Sequence, residues 1–188
     1  GCTLLLFAGW ELIIIGALCV LFAFLYTTGP YPLSYNGWGD VLVIIFFGFV
    51  PVGGTYYVQA LTWTPDVTIA SIICGLLIDT LLVVNNYRDR EADARSGKRT
   101  VIVRFGEKFG RYFYLALGIT ASLLCLRFLS EGHFYAGLLP QLYLIPHFFT
   151  WKKMVRIYNG KKLNNILGET SRNMLLMGVL LSLGLLLG

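Results

Sequence analysis

Charge is scarce in this chain. Asp, Glu, Lys and Arg together make up 13% of its 188 residues, and a soluble domain carries nearly twice that share. The charges fall between long apolar runs, which excludes a water-soluble globular domain and points to a helical integral membrane protein. The alternating ten-residue strands of a membrane barrel are absent. Only two histidines occur, His133 and His147, and their spacing is not that of a catalytic pair. The four cysteines (Cys2, Cys19, Cys74 and Cys125) are scattered through apolar runs without metal-ligand spacing, and read as small core residues. No Ser/His/Asp arrangement and no glycine-rich phosphate loop is present. A secretory signal is also lacking, because the first apolar run is too long and has no basic start. The chain opens Gly1-Cys2-Thr3 without Met, so it has been cut or an upstream part is missing.

What is present is a succession of apolar runs near the ~20 residues needed to cross the hydrocarbon. Residues 1–8 read as the end of an upstream helix. Six spans follow: Trp10–Tyr26, Asp40–Ala60, Val67–Val84, Phe109–Leu129, Phe134–Trp151 and Met174–Leu187. Residues 27–38 hold two prolines and two glycines and cannot continue a helix. Gly48, Pro51, Gly53 and Gly54 predict a bend and a close helix approach in the second span. Pro140 and Pro146 predict kinks in the fifth. The chain is thus read as one transmembrane domain over 1–188, with an aspartate-rich loop at 86–107.

The net charge of +5 does not imply nucleic acid, because its placement is that of a membrane protein. Fourteen of the fifteen Lys and Arg residues lie in 86–111 and 151–172, and only Arg127 lies at the other face. By the positive-inside rule the basic side is cytoplasmic.

One stretch on that side is the densest polar run: Asn85-Asn86-Tyr87-Arg88-Asp89-Arg90-Glu91-Ala92-Asp93, continuing to Gly97-Lys98-Arg99-Thr100. If the third span continues through it as a helix, Asp89 and Asp93 lie one turn apart on one face. Two carboxylates so close repel each other unless a cation sits between them. Mg²⁺ binds through one or two protein carboxylates and completes its shell with waters and substrate phosphates. Asn86 falls on the same side. Lys98 and Arg99 follow a glycine able to end the helix, and can reach a phosphate. The stretch therefore reads as a magnesium–diphosphate site, with a charged loop whose acids pair with Arg88, Arg90 and Arg95 as the alternative.

Asp79 is the polar outlier within a span, where a charge costs at least ~2.5–3.5 kcal/mol. It shares a helical stripe with Asn86 and Asp93. Along a straight helix it lies ~20 Å from Asp93, too far to share a metal. It either orients an acceptor substrate or is protonated and hydrogen-bonded to a neighbour. Gln59 is either a helix–helix hydrogen-bonding group or a pocket group. Aromatics gather at span ends as a membrane belt, and Tyr26, Tyr31 and Tyr35 share the side of the carboxylates and can instead line the site. Asn164, Asn165 and Glu169 can cap the last span or close over a substrate.

The stretch 85–100 resembles the second aspartate-rich motif of the UbiA superfamily of intramembrane prenyltransferases. It looks most like the branch acting on 1,4-dihydroxy-2-naphthoate in menaquinone biosynthesis. Tyr26-Thr27-Thr28-Gly29-Pro30-Tyr31-Pro32-Leu33, then Gly37-Trp38-Gly39-Asp40 and Phe46-Phe47-Gly48, are similar to a second region of that branch. Where many ubiquinone-branch members have Tyr-x-x-x-Lys, this chain keeps Tyr26 but has Pro30.

The resemblance implies an all-α polytopic bundle, of which this chain would supply six of nine helices plus the end of a seventh. It implies a bacterial inner-membrane enzyme that uses Mg²⁺, polyprenyl diphosphate and 1,4-dihydroxy-2-naphthoate, with membrane lipid around it; the oligomeric state is left open. Asp89, Asp93 and Asn86 would sit on the metal side. Asn85, Arg88, Lys98 and Arg99 would contact the diphosphate. Tyr26, Tyr31, Gln59 and Asp79 would be acceptor or pocket residues. A first aspartate motif would lie before residue 1, so residues 1–188 alone would hold half of the metal site. Two rival readings remain: a prenyltransferase for 4-hydroxybenzoate, homogentisate or another aromatic acceptor, and a transporter module, kept alive by Asp79.

Overall fold

The computed structural model describes Thr3 and residues 8–188, so the upstream helix end expected at 1–8 lies largely outside the described residues. Helix α1 is Glu11–Thr27. Helix α2, Gly39–Ala60, follows a short 3₁₀ turn at Leu33–Tyr35. Helix α3 is Pro65–Arg95, α4 is Val101–Cys125, and α6 is Leu163–Leu187. The fifth apolar segment is broken: helix Phe134–Leu138, a 3₁₀ turn Leu139–Tyr143 around Pro140, then helix α5, Leu144–Ile157. Pro146 sits in the first turn of α5 and does not interrupt it. No strand occurs among the described residues.

Four helical segments are long and apolar enough to cross a membrane: Gly39–Ala60, Pro65–Arg95, Val101–Ser130 and Leu163–Leu187. α1 is apolar but shorter, at 17 residues. The protein is an integral membrane protein. Its large exposed side chains are those of a lipid-facing surface: Leu21, Phe24, Phe47, Leu142, Phe149, Leu175 and Leu186 all project outward.

The structure moves several boundaries. The last helix begins at Leu163, not at Met174. The fourth begins at Val101 and kinks at Gly106, whose φ of +85° no other residue type adopts freely. Most of the loop expected at 86–107 is helix: α3 runs on to Arg95 and α4 resumes at Val101. At 1.5 Å per residue α3 is about 46 Å long, well beyond a ~30 Å hydrocarbon core. Its last turns, after the apolar run ending at Val84, therefore project out of the apolar layer.

α3 is the central element. It starts with Thr64 as cap, whose Oγ1 accepts from Val67 N at 3.3 Å, and with Pro65 in the first turn. One buried layer joins Val83, Val84 and Tyr87 to Ile102, Tyr114 and Leu117 of α4, Met154 of α5, and Leu163 and Ile166 of α6. A second joins Ile73 and Leu77 to Ala121 and Cys125 of α4, and to Tyr143 and Met177. His147 is buried between Tyr114 and Tyr143, stacked on both rings and bonded to the Tyr143 hydroxyl at 2.9 Å.

α2 crosses the other side of α3 where both helices carry glycine. A Cβ on Gly48 would lie 2.4 Å from Ser71 O, and one on Gly75 would lie 2.9 Å from Ile44 Cα. This is the close approach that the glycines of the second span predict. Its bend takes the form of a wide π-helical stretch, Ile44–Gly53, around Pro51. Proline supplies no N–H and crowds the preceding turn, and the wider turn accommodates it.

Candidate functional site

Because α3 continues through the polar run, Asp89 and Asp93 lie one turn apart on the same face. The helix end explains why a base meets Asp93. Gly97 takes a φ of +79°. Its N–H donates to Ala94 O at 3.2 Å, and the Lys98 N–H donates to Asp93 O at 2.9 Å. This is the paired closure of a helix on a left-handed glycine. It folds the chain back so that Lys98 Nζ comes 3.4 Å from Asp93 Oδ2.

Asp89 has its own base. Arg88 Nε donates to Oδ1 at 2.7 Å, and its Nη2 to Oδ2 at 2.6 Å. The same guanidinium donates to Asn85 Oδ1 at 2.8 Å and, across the bundle, to Asn164 Oδ1 at 2.9 Å. These hydrogen bonds from Arg88, with its positive charge, hold the Asp89 carboxyl below the usual carboxylate range despite partial burial. Arg88 thus bonds Asp89, Asn85 and the start of α6 at once. Arg90, beneath, is occupied by Tyr87 O at 2.7 Å and Glu107.

The 28–38 connection is tied over this end of α3. Arg99 N donates to Tyr35 O at 2.7 Å, and Arg104 Nη2 to Asn36 O at 2.7 Å. Thr100 caps α4, accepting from Val103 N at 3.2 Å. Together these segments enclose a polar pocket of about 70 Å³, lined by Tyr26, Ser34, Asp40, Asn85, Asn86 and Lys98 among others. Next to it lies an apolar groove of about 500 Å³ lined by Phe22, Leu42, Val43, Phe46 and Phe47. Tyr26 and Leu82 line both.

Of the residues expected at the site, Asn85, Asn86, Lys98 and Tyr26 come together at the polar pocket, with Asp89 and Asp93 on the same end of α3. The Arg99 side chain is exposed beside them. Tyr31 is not brought in: it is 58% exposed on the connecting segment. Gln59 is not brought in either. It is exposed near the opposite end of α2 from Asp40, and its amide donates only to Thr55 O at 3.1 Å. Asp79 is fully buried and does not line the pocket, although the charge of Asp40, which does, acts on it. Asp40 also lines the polar pocket, a placement that sequence reasoning missed. Its signal was an acid at the very start of an apolar span, beside Gly39.

Comparison with known proteins gives the same family as the motifs. The UbiA prenyltransferase family model matches residues 1–167. A protein of Haemophilus influenzae named 1,4-dihydroxy-2-naphthoate octaprenyltransferase is 36% identical over 177 residues, covering 93% of this chain and 57% of the relative. Its Escherichia coli namesake is 40% identical over 124 residues, covering 66% of this chain and 39% of the relative. A Dictyostelium discoideum protein named UbiA prenyltransferase domain-containing protein 1 is 29% identical over 173 residues, covering 92% and 51%. No solved structure matches. The chain spans about half the length of the curated relatives it matches. With the family model covering nearly the whole chain, and the motif residues gathered on one helix end, the chain belongs to the UbiA prenyltransferase family.

Proposed function

We propose that the protein of which this chain is part transfers a polyprenyl group from polyprenyl diphosphate to 1,4-dihydroxy-2-naphthoate, releasing diphosphate and CO₂. The observation that carries this reading is the junction of the two cavities. A polar pocket with Asn85, Asn86 and Lys98 adjoins an apolar groove of about 500 Å³, so a charged head and an apolar tail can be bound side by side. The acceptor comes from the printed names of the relatives and from the naphthoate-branch motifs.

The donor set suits Mg²⁺. Two carboxylates one turn apart, with the Asn86 amide oxygen on the same stripe, match a hard cation that keeps open positions for water and phosphate. No group of three or more His, Cys, Asp or Glu able to cage a metal occurs among the described residues, which disfavours a site of the zinc type. Asp89, Asp93 and Asn86 would hold the ion. When bound, Mg²⁺ neutralises the diphosphate and improves it as a leaving group.

The chain's own residues then have distinct roles. Lys98 transfers its contact from Asp93 to the diphosphate, and Arg99 adds a second positive charge. Arg88 keeps Asp89 oriented. As the allylic C–O bond breaks, its electron pair departs with the diphosphate and leaves an allylic cation. The ring carbon that carries the carboxylate bonds to that cation, and the ring C–CO₂ bond then breaks, its electron pair restoring the aromatic ring as CO₂ departs. The walls formed by Phe22, Leu42 and Phe46 exclude water from the cation. In this reading the site faces the cytoplasm from the bacterial inner membrane, because the basic segments lie at its end.

The test is an assay of the full-length protein with 1,4-dihydroxy-2-naphthoate and a polyprenyl diphosphate, with and without EDTA. EDTA should abolish turnover, and 4-hydroxybenzoate and homogentisate should be poor acceptors. Unchanged turnover in EDTA would remove Mg²⁺ from the reading. A preference for another acceptor would replace the naphthoate.

A further inference from the structure

The diphosphate end of the site makes no use of the acid pair beneath it. Asp79 is completely buried on α3, two turns in from Asn86, and Asp40 opens α2 with 7% exposure. The two carboxyls lie close enough for the charge of one to act on the other, although they are far apart in sequence. Asp40 Oδ1 and both Asp79 oxygens have no donor among the described residues. A buried carboxyl pair without a cation or a full set of donors is costly to keep, and a donor brought by a ligand to Asp40, which lines the polar pocket, offsets part of that cost.

The surroundings say what kind of ligand. Asp40 lines the polar pocket, and the pocket opens past Tyr26 and Leu82 into the apolar groove. The Tyr26 hydroxyl lies beside the start of α2, 3.5 Å from where a Cβ on Gly39 would be. Asp79 lies about 10 Å along α3 from Asn86, and the apolar groove of about 500 Å³ beside this stretch is large enough for a ring system. A ligand that fits here is largely apolar and carries a hydrogen-bond donor for Asp40 at one end.

Building on the prenyltransferase reading, we propose that Asp40 recognises a ring hydroxyl of a hydroxyaromatic acceptor, and that Asp79 behind it is a positioning residue. The ring lies in the groove against Leu42, Val43, Phe46 and Leu82, and its hydroxyl donates to Asp40. Asp79 does not touch the acceptor. It fixes the Asp40 carboxyl through a hydrogen bond between the two acids. A site built this way rejects an acceptor whose hydroxyl is blocked, because a buried carboxyl oxygen is then left without a partner.

The experiment uses the full-length protein in nanodiscs. Equilibrium binding of 1,4-dihydroxy-2-naphthoate and of its two mono-methyl ethers is measured by calorimetry, alongside KM for each substrate. For the wild type, one ether should bind about tenfold or more weakly than the diol. In Asp40→Asn and Asp79→Leu that difference should collapse to about threefold or less, and acceptor KM should rise about tenfold. KM for the prenyl diphosphate should stay within about twofold. Asp79→Asn, which can still bond to Asp40, should keep most of the discrimination. Asp79→Leu fills a buried site with an apolar side chain, so a merely structural role predicts a folded protein with unchanged acceptor affinity. That result, or a wild type that binds diol and both ethers equally, overturns the proposal while leaving prenyl transfer intact. A wild type that transfers no prenyl group and binds no hydroxyaromatic overturns both readings.

Discussion

Arg88 grips Asp89, its neighbour in sequence, through both arms of its fork, at 2.7 and 2.6 Å. Adjacent residues on a helix point about 100° apart, so the contact needs the long Arg side chain to turn back. Asn85 on one side and Asn164 on the other hold it there. A carboxylate gripped this way is kept ionised and aimed, and the base that does so also pins α6 to the site.

Arg88→Ala should free Asp89 and loosen α6. Both side chains are partly exposed, so the ion pair itself is worth little, and the loss to stability should be about 1–2 kcal/mol, mostly through the charged hydrogen bond to Asn164. Arg88→Lys cannot reproduce the fork and should recover less than half of the loss. Thermal unfolding in detergent measures this. A wild-type midpoint for Arg88→Ala would show the link to α6 to be incidental.

The same variant should change the acid limit of metal binding. Asp89 is held below its ordinary value of 3.8 by Arg88, so its charge persists above that value and is lost only as pH falls through the depressed one. Removing Arg88 raises the point of loss, and the acid limb of Mg²⁺ binding should move to higher pH. Titration of Mg²⁺ affinity against pH in the two proteins checks the sign.

Asp89→Asn and Asp93→Asn should each lower turnover by about 100-fold or more, the scale expected when several kcal/mol of charge stabilisation are lost. Either variant retaining near-normal activity at limiting Mg²⁺ would take that carboxylate out of the site.

Gln59→Leu should leave turnover within about twofold of wild type and stability within about 0.5 kcal/mol, because its amide meets only Thr55 O near the opposite end of α2. A clear drop in kcat would return Gln59 to the pocket.

Gly48→Leu should destabilise the protein by about 1–3 kcal/mol, since its Cβ alone would press on Ser71 O at 2.4 Å. Gly16→Leu, where nothing lies within 4 Å, is the matched control. Comparable unfolding midpoints for the two variants would mean that the α2–α3 crossing is looser than its geometry indicates.

The sequence by itself determined what depends on short range. Apolar length and scarce charge made the chain a helical membrane protein, and the period of 3.6 put Asp79, Asn86 and Asp93 on one stripe of α3. Gly97, two residues after Arg95, predicted the helix end. Helix bounds drifted because propensity is weak in polar flanks: α3 ran through the charged run once its bases paired with its acids, and α6 began at Leu163 because Leu163 and Ile166 are buried in the core.

Tertiary structure alone decided which distant groups meet. Gly48 finds Ser71, Arg88 finds Asn164, and Arg99 finds Tyr35 only after α2, the connecting segment and α6 have packed on α3. The same packing left Gln59 and Tyr31 outside. Such contacts depend on where helices cross and how they rotate, and no periodicity along a single chain carries that information.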